Sequence, residues 1–267
     1  MNPFMNLLSR QGQPLPVGTW IMSASPLIAV AMGHAGFDWG VVDMEHTPLD
    51  MADLVHLLQA VAGTPLVPVV RVPWNDAVFI KRVLDAGAST LLVPFVQNAD
   101  EARAAVAATR YAPEGCRGMA GMSRASRFGT VPDYLRNANQ QMGVIVQLET
   151  PQAIEQLEAI AAVPGVDALF IGPADLSATM GHVGLLTHPE VLALTATAIK
   201  RAKAAGKPIG TVGGTPEVVQ QYLAMGFDFV AIASDLGLLM RSAQAALAAV
   251  RGLAGGQSQG KTAVGGY

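Results

Sequence analysis

Short apolar runs and longer Ala/Leu-rich stretches take turns along this chain. The short runs lie at 17–22, 39–43, 66–71, 90–94, 143–149, 168–171, 208–212 and 229–233, and they are apolar at nearly every position. Strands read that way, rather than alternating, when helices cover both faces of a parallel sheet. The stretches between them, at 26–34, 49–62, 76–85, 99–109, 151–160, 189–204, 216–224 and 236–250, have helical composition. Eight rounds of strand and helix predict a single-domain α/β fold, a (β/α)8 TIM barrel, over residues 1–251. On pattern alone a doubly wound open sheet is the alternative.

The punctuation agrees with this division. Pro26, Pro151, Pro189 and Pro216 stand where helices should begin, and Ser25, Thr150 and Thr215 precede three of them as N-cap candidates. Gly87, Gly206 and Gly226 follow helices, where a left-handed cap is wanted. Residues 112–134 break the rhythm with glycines and arginines, and predict a long ordered loop of the kind that often serves function. Residues 252–267 are rich in Gly, Ser, Gln and Ala and are expected to form a disordered tail.

Composition narrows the classes. Hydrophobic residues make up 51% of the 267 and charged residues only 14%, which suggests that part of the outer surface is covered by other subunits. A net charge of −3 carries no footprint of a nucleic-acid or anionic-membrane partner. No apolar run reaches the ~18 residues of a membrane span, and the N-terminal segment lacks the pattern of a secretory signal. The single cysteine, Cys116, excludes an intrachain disulfide and fits a reducing, cytoplasmic setting. Beside Gly115 and Arg117 it reads as a loop cysteine, with a nucleophile as the alternative.

In a barrel of this type chemistry sits at the carboxyl ends of the strands. Glu149 closes the fifth apolar run and Asp175 follows the sixth, so the two acids should converge. Two like charges that close call for a cation, and oxygen ligands favour a hard divalent ion such as Mg²⁺ or Mn²⁺. The alternative is a pair of solvent-facing helix caps. In Gly172-Pro173-Ala174-Asp175 the backbone N–H groups of Ala174 and Asp175, at a helix start, suit a substrate carboxylate. His46 reads as a proton-transfer group oriented by Asp43 or Asp85, or else as a helix cap. Arg71, on an otherwise apolar strand, needs an anion: a substrate oxygen, or Glu45. His182 is a candidate for the rim of the site, whereas His34, His56 and His188 read as surface residues. Lys81, Lys200, Lys203 and Lys207 fall on helices or at a strand's amino end, poor places for a Schiff base.

Several segments jointly resemble the HpcH/HpaI family of class II pyruvate aldolases. They are Asp43-Met44-Glu45-His46, Arg71-Val72-Pro73-Trp74-Asn75-Asp76, Gly115-Cys116-Arg117-Gly118, Arg124-Ala125-Ser126-Arg127, Gln147-Leu148-Glu149-Thr150 and Gly172-Pro173-Ala174-Asp175-Leu176-Ser177. The resemblance implies reversible aldol cleavage of a 4-hydroxy-2-oxo acid, such as 4-hydroxy-2-oxoheptanedioate in aromatic-compound catabolism, into pyruvate and an aldehyde. It implies a divalent ion (Mg²⁺, Mn²⁺ or Co²⁺) on Glu149 and Asp175 with Gln147 close by. It also implies His46 as acid/base group with Asp85 as its partner, Asp43 in support and Arg71 beside the pyruvyl oxygens. A homo-hexamer, a trimer of dimers with the last helix exchanged, is the implied assembly. Met44 and His182 stand where the family often has Gly and Tyr or Leu, which bears on acceptor specificity. The rival readings are a CoA-ester lyase related to the citrate lyase β subunit and a non-catalytic barrel subunit.

Overall fold

A computed structural model describes residues 2–9 and 12–252 of the chain. Except for Gly252, the expected tail at 252–267 lies outside them. The elements run α1 (Pro3–Leu8), β1 (Val17–Ile21), α2 (Pro26–His34), β2 (Trp39–Asp43), α3 (Met51–Val61), β3 (Val67–Arg71), α4 (Ala77–Asp85), β4 (Thr90–Val93), α5 (Ala99–Thr109), α6 (Tyr134–Gln141) and β5 (Gly143–Leu148). There follow α7 (Pro151–Glu155), α8 (Leu157–Ala161), β6 (Ala168–Ile171), α9 (Pro173–Thr179), α10 (Pro189–Ala204), β7 (Ile209–Gly213), α11 (Pro216–Met225), β8 (Phe229–Ser234) and α12 (Asp235–Val250). The eight strands pair in parallel in chain order, and β8 returns to β1, closing the barrel. The open-sheet alternative is thereby excluded.

The uniform apolarity of the strands has a direct cause, for each strand serves two cores. One core lies between strands and outer helices and takes residues such as Val42, Val70, Leu91, Val146, Leu169 and Val230. The other fills the barrel with Trp20, Trp39, Val69, Leu92, Ile145, Phe170 and Phe229. Gly18 and Gly210 make room for this aromatic filling. A Cβ on Gly18 would stand 2.4 Å from the Trp39 ring, and one on Gly210 2.2 Å from the Phe229 ring. The short helix α1, absent from the sequence pattern, plugs the amino-terminal mouth. Its Phe4 meets Trp39 and Phe229 edge-on at 5.4 Å each. Asn2 caps this helix and also donates to the Ser89 and Gln141 carbonyls.

The N-caps fall as the sequence indicates: Ser25, Thr150 and Thr215 accept from Ile28, Ala153 and Val218 N–H. Gly87, Gly206 and Gly226 all adopt positive φ. The stretch at 151–160 is two short helices broken at Gln156 rather than one. Three acids that precede strands are spent on the scaffold. Asp38, Asp167 and Asp228 accept from the N–H groups of Val17, Val144 and Ile209, at or next to the starts of β1, β5 and β7. The loop after α5 is held by Arg117, which is buried, pairs with Asp85 at 2.7 Å and lies over the Tyr111 ring.

Helix α12 differs from the others. Leu239, Met240, Leu247 and Val250 are all exposed, the last at 87%, and Asp235 is the one buried residue on it. Among the described residues no helix is long and apolar enough to cross a membrane.

Candidate active site

Strand register assembles the site. Asp43 and Arg71 are register partners at the carboxyl ends of β2 and β3. Leu148 and Ile171 are partners on β5 and β6, and the Gly172 N–H donates to the Leu148 carbonyl. The next residue on each strand is therefore Glu149 and Gly172, side by side. Asp175 stands in the first turn of α9, three residues beyond Gly172.

Glu149 is fully buried. One carboxylate oxygen accepts from the Phe95 N–H at 2.8 Å and the other from the Gln147 side-chain amide. Phe95 has φ +51, a strained conformation for a bulky residue, and its N–H supports the site acid. Burial pushes the Glu149 carboxyl up to about 8; the Phe95 hydrogen bond opposes this, the charges of Glu45 and Asp175 add to it, and Arg71 opposes it. The acid therefore sits among other acids in a dry setting.

Arg71 is also fully buried. Its Nε and Nη2 donate to the two oxygens of Asp43 at 2.8 Å each, and its Nη1 lies 2.8 Å from Glu45. The sequence left Arg71 divided between a substrate oxygen and Glu45, and the structure supplies Glu45 and adds Asp43. Asp43 is thus spent on orienting Arg71, not His46. It also accepts from the Glu45 N–H. Burial raises the Glu45 carboxyl above its ordinary range, Arg71 and His46 lower it, and Asp43 and Asp175 raise it.

His46 is half-exposed at the mouth, with its Nε2 3.9 Å from the Glu45 carboxylate. Asp85 does not reach it within one chain. Asp85 ends α4 and leads back to the amino end of β4, at the opposite mouth from His46, and its partner there is Arg117. Glu45 is the acid beside His46, a role that the sequence reading assigned to Asp43 or Asp85 while it offered Glu45 only as a partner for Arg71. Its place next to His46, in the bend that follows β2, was the available signal. The Phe95 N–H left no sequence signal.

The donor set suits a hard divalent ion. Glu149 and Asp175 offer carboxylate oxygens, and the Gln147 side-chain oxygen is buried without a hydrogen-bond donor while its nitrogen is engaged. Four acids, Asp43, Glu45, Glu149 and Asp175, stand near one guanidinium, so the site is short of positive charge. Gly172 completes the cradle, because a Cβ there would fall 2.4 Å from Glu149 Oε1. Gly172 thus gives the acid its space. Cys116 is exposed on the loop after α5.

A family profile described as "HpcH/HpaI aldolase/citrate lyase" matches residues 17–242. The chain is 53% identical over 246 residues to a 2-dehydro-3,6-dideoxy-6-sulfogluconate aldolase of Pseudomonas putida, covering 92% of this chain and 96% of that protein. It is 46% identical over 232 residues to a 5-keto-4-deoxy-D-glucarate aldolase of Salmonella arizonae, covering 87% and 91%. A crystal structure of an HpcH/HpaI aldolase/citrate lyase family protein from Burkholderia cenocepacia superposes with a TM-score of 0.90 at 42% identity, covering 94% of this chain and all of that one.

Proposed function

Because the chain belongs to the HpcH/HpaI aldolase/citrate lyase family, we propose that it catalyses the reversible aldol cleavage of a 4-hydroxy-2-oxo acid to pyruvate and an aldehyde, with a divalent ion (Mg²⁺, Mn²⁺ or Co²⁺) held by Glu149 and Asp175. The observation that carries this reading is the buried Glu149 carboxylate, set beside Gly172 and within electrostatic reach of Asp175 and Glu45. An ion held there would supply Lewis acidity toward the 2-oxo and carboxylate oxygens of the substrate.

The remaining chemistry falls to the chain's own groups. The N–H groups of Ala174 and Asp175, in the first turn of α9, receive the substrate carboxylate. Arg71, locked by Asp43, contributes a fixed positive charge that offsets oxyanion character as the C3–C4 bond breaks. His46, at the mouth and beside Glu45, takes up the C4 hydroxyl proton in cleavage and passes a proton to C3 of the enolate to give pyruvate, with both transfers reversed in the aldol direction. Gln147 fixes the Glu149 carboxylate. The names of the relatives point, within this substrate class, to deoxy sugar acids rather than to 4-hydroxy-2-oxoheptanedioate.

The assembly we propose is a homo-hexamer, supported by the apolar residues that α12 leaves exposed. In such an assembly a neighbouring chain is the only source of an Asp85 for His46. The test of the reaction is a cleavage assay coupled to pyruvate reduction. EDTA should abolish turnover and borohydride with pyruvate should leave it intact. Covalent trapping of pyruvate by borohydride would overturn the proposal.

A further inference from the structure

Away from Glu149 and Asp175, three metal-ligating side chains meet on the rim of the barrel. His182 follows α9, His188 caps α10 and Glu190 stands in the first turn of α10. One ligand atom from each lies within 4.8 Å of the others. The His182 and His188 rings stack at 3.6 Å with 18° between their planes. His182 Nε2 is 2.8 Å from a Glu190 carboxylate oxygen.

The three groups are held in place by the backbone between them. The His182 N–H donates to the Ser177 carbonyl at 2.7 Å, Leu185 to His182 at 2.9 Å and His188 to Leu185 at 2.9 Å. Positive φ at Gly181 and Gly184 permits this winding. Pro189 begins the sixteen-residue α10 and fixes the direction of His188 and Glu190.

We propose that His182, His188 and Glu190 form a second cation site, taking a borderline transition-metal ion of the Zn²⁺ or Co²⁺ kind. Two imidazoles and one carboxylate are a donor set such ions prefer, with one position left for water. Mg²⁺ prefers oxygen ligands, and the all-oxygen set of Glu149, Asp175 and Gln147 provides them. The ion takes the place of the hydrogen bond between His182 Nε2 and Glu190, ligated by a neutral imidazole that carries its one proton on Nδ1. Once bound, it staples the segment between α9, which carries Asp175, and α10.

The test uses the full-length, metal-stripped protein in excess Mg²⁺, titrated with Co²⁺ while the visible spectrum is followed, and with Zn²⁺ by calorimetry. One equivalent of nitrogen-ligated Co²⁺ is expected, and it should persist in Glu149→Gln, which separates this site from the proposed aldolase centre. His182→Asn, His188→Asn (which keeps an N-cap oxygen) and Glu190→Gln should each weaken it about tenfold or more, with Mn²⁺ binding at Glu149 and far-ultraviolet circular dichroism unchanged. A wild-type protein that shows no nitrogen-ligated Co²⁺, or variants that bind Co²⁺ and Zn²⁺ as the wild type does, would overturn the proposal.

Discussion

Gly172→Ala should damage the site while leaving the backbone unstrained. Gly172 has φ −89 and ψ 95, which alanine adopts freely, so no conformational penalty enters. The added carbon, however, would stand 2.4 Å from Glu149 Oε1, 2.7 Å from Glu149 Cγ and 2.8 Å from Gln147 Nε2. Glu149 has nowhere to retreat, being fully buried and tethered to the Phe95 N–H and Gln147. Either the carboxylate gives up a hydrogen bond or the end of β6 moves away. Overpacking of a tight interior costs about 1–3 kcal/mol, and leaving a buried hydrogen-bonding group unsatisfied about 1–3. The two alternatives exclude each other, so we expect a loss of about 2–3 kcal/mol in urea unfolding. Displacing the acid should also weaken Mn²⁺ binding, measured by calorimetry, by about 10–100-fold. Gly214→Ala, where nothing lies within 4 Å of the added carbon, is the control and should shift stability by less than about 0.5 kcal/mol. A Gly172→Ala protein with wild-type unfolding and wild-type Mn²⁺ affinity would refute the claim that this glycine makes room for the acid.

Further predictions concern the charges around it. Asp43→Ala removes the two-pronged partner of the buried Arg71 and leaves it Glu45 alone, and should cost about 2–3 kcal/mol in urea unfolding; a loss below about 0.5 would mean that Asp43 does not hold the guanidinium. The Glu149 carboxyl of the folded, metal-free protein sits at about 8 against an ordinary 4.5, so the folded state holds the extra proton and is favoured at low pH. Metal-free stability should therefore fall by about 1.4 kcal/mol per pH unit between those values, a slope that Glu149→Gln removes; thermal melts of the EDTA-treated protein from pH 5 to pH 8 measure it, with the same slope in both proteins as the contrary result. Asp85→Ala leaves the buried Arg117 without its carboxylate, and the loop at 112–134 should become the first site of limited proteolysis. Unchanged protection there would separate the Asp85–Arg117 pair from the ordering of the loop.

The parts of this molecule that repeat were legible in the sequence. Each strand is buried on both faces, so runs such as 143–149 and 168–171 carried an unbroken apolar signal, and the proline and threonine starts of α7 and α11 marked the helices between. Helix α1 was not legible, because its six residues are too few to show a period and its apolar side faces the barrel filling rather than the outer core. Helix α9 was not separated from its loop for a similar reason, since its seven residues begin in the Gly172-Pro173 turn. In the site, Glu149, Asp175 and Arg71 announced themselves as charged groups ending apolar strands. Their partners were harder to assign, because Asp43, Glu45 and Asp85 are all acids near a strand or helix end, and only the pairing register shows that Asp43 meets Arg71. The Phe95 N–H is a backbone group, and no residue type encodes it. The rim triad was partly visible, for His182 drew notice while His188 read as a surface residue and Glu190 was not singled out.

The most direct measurement of the central claim is an anomalous difference map from crystals soaked in Mn²⁺ and oxalate. A single strong peak within about 2.0–2.3 Å of both a Glu149 and an Asp175 carboxylate oxygen is the predicted result. A map with no peak there, or with Mn²⁺ bound to Glu149 alone while Asp175 faces solvent, would contradict it.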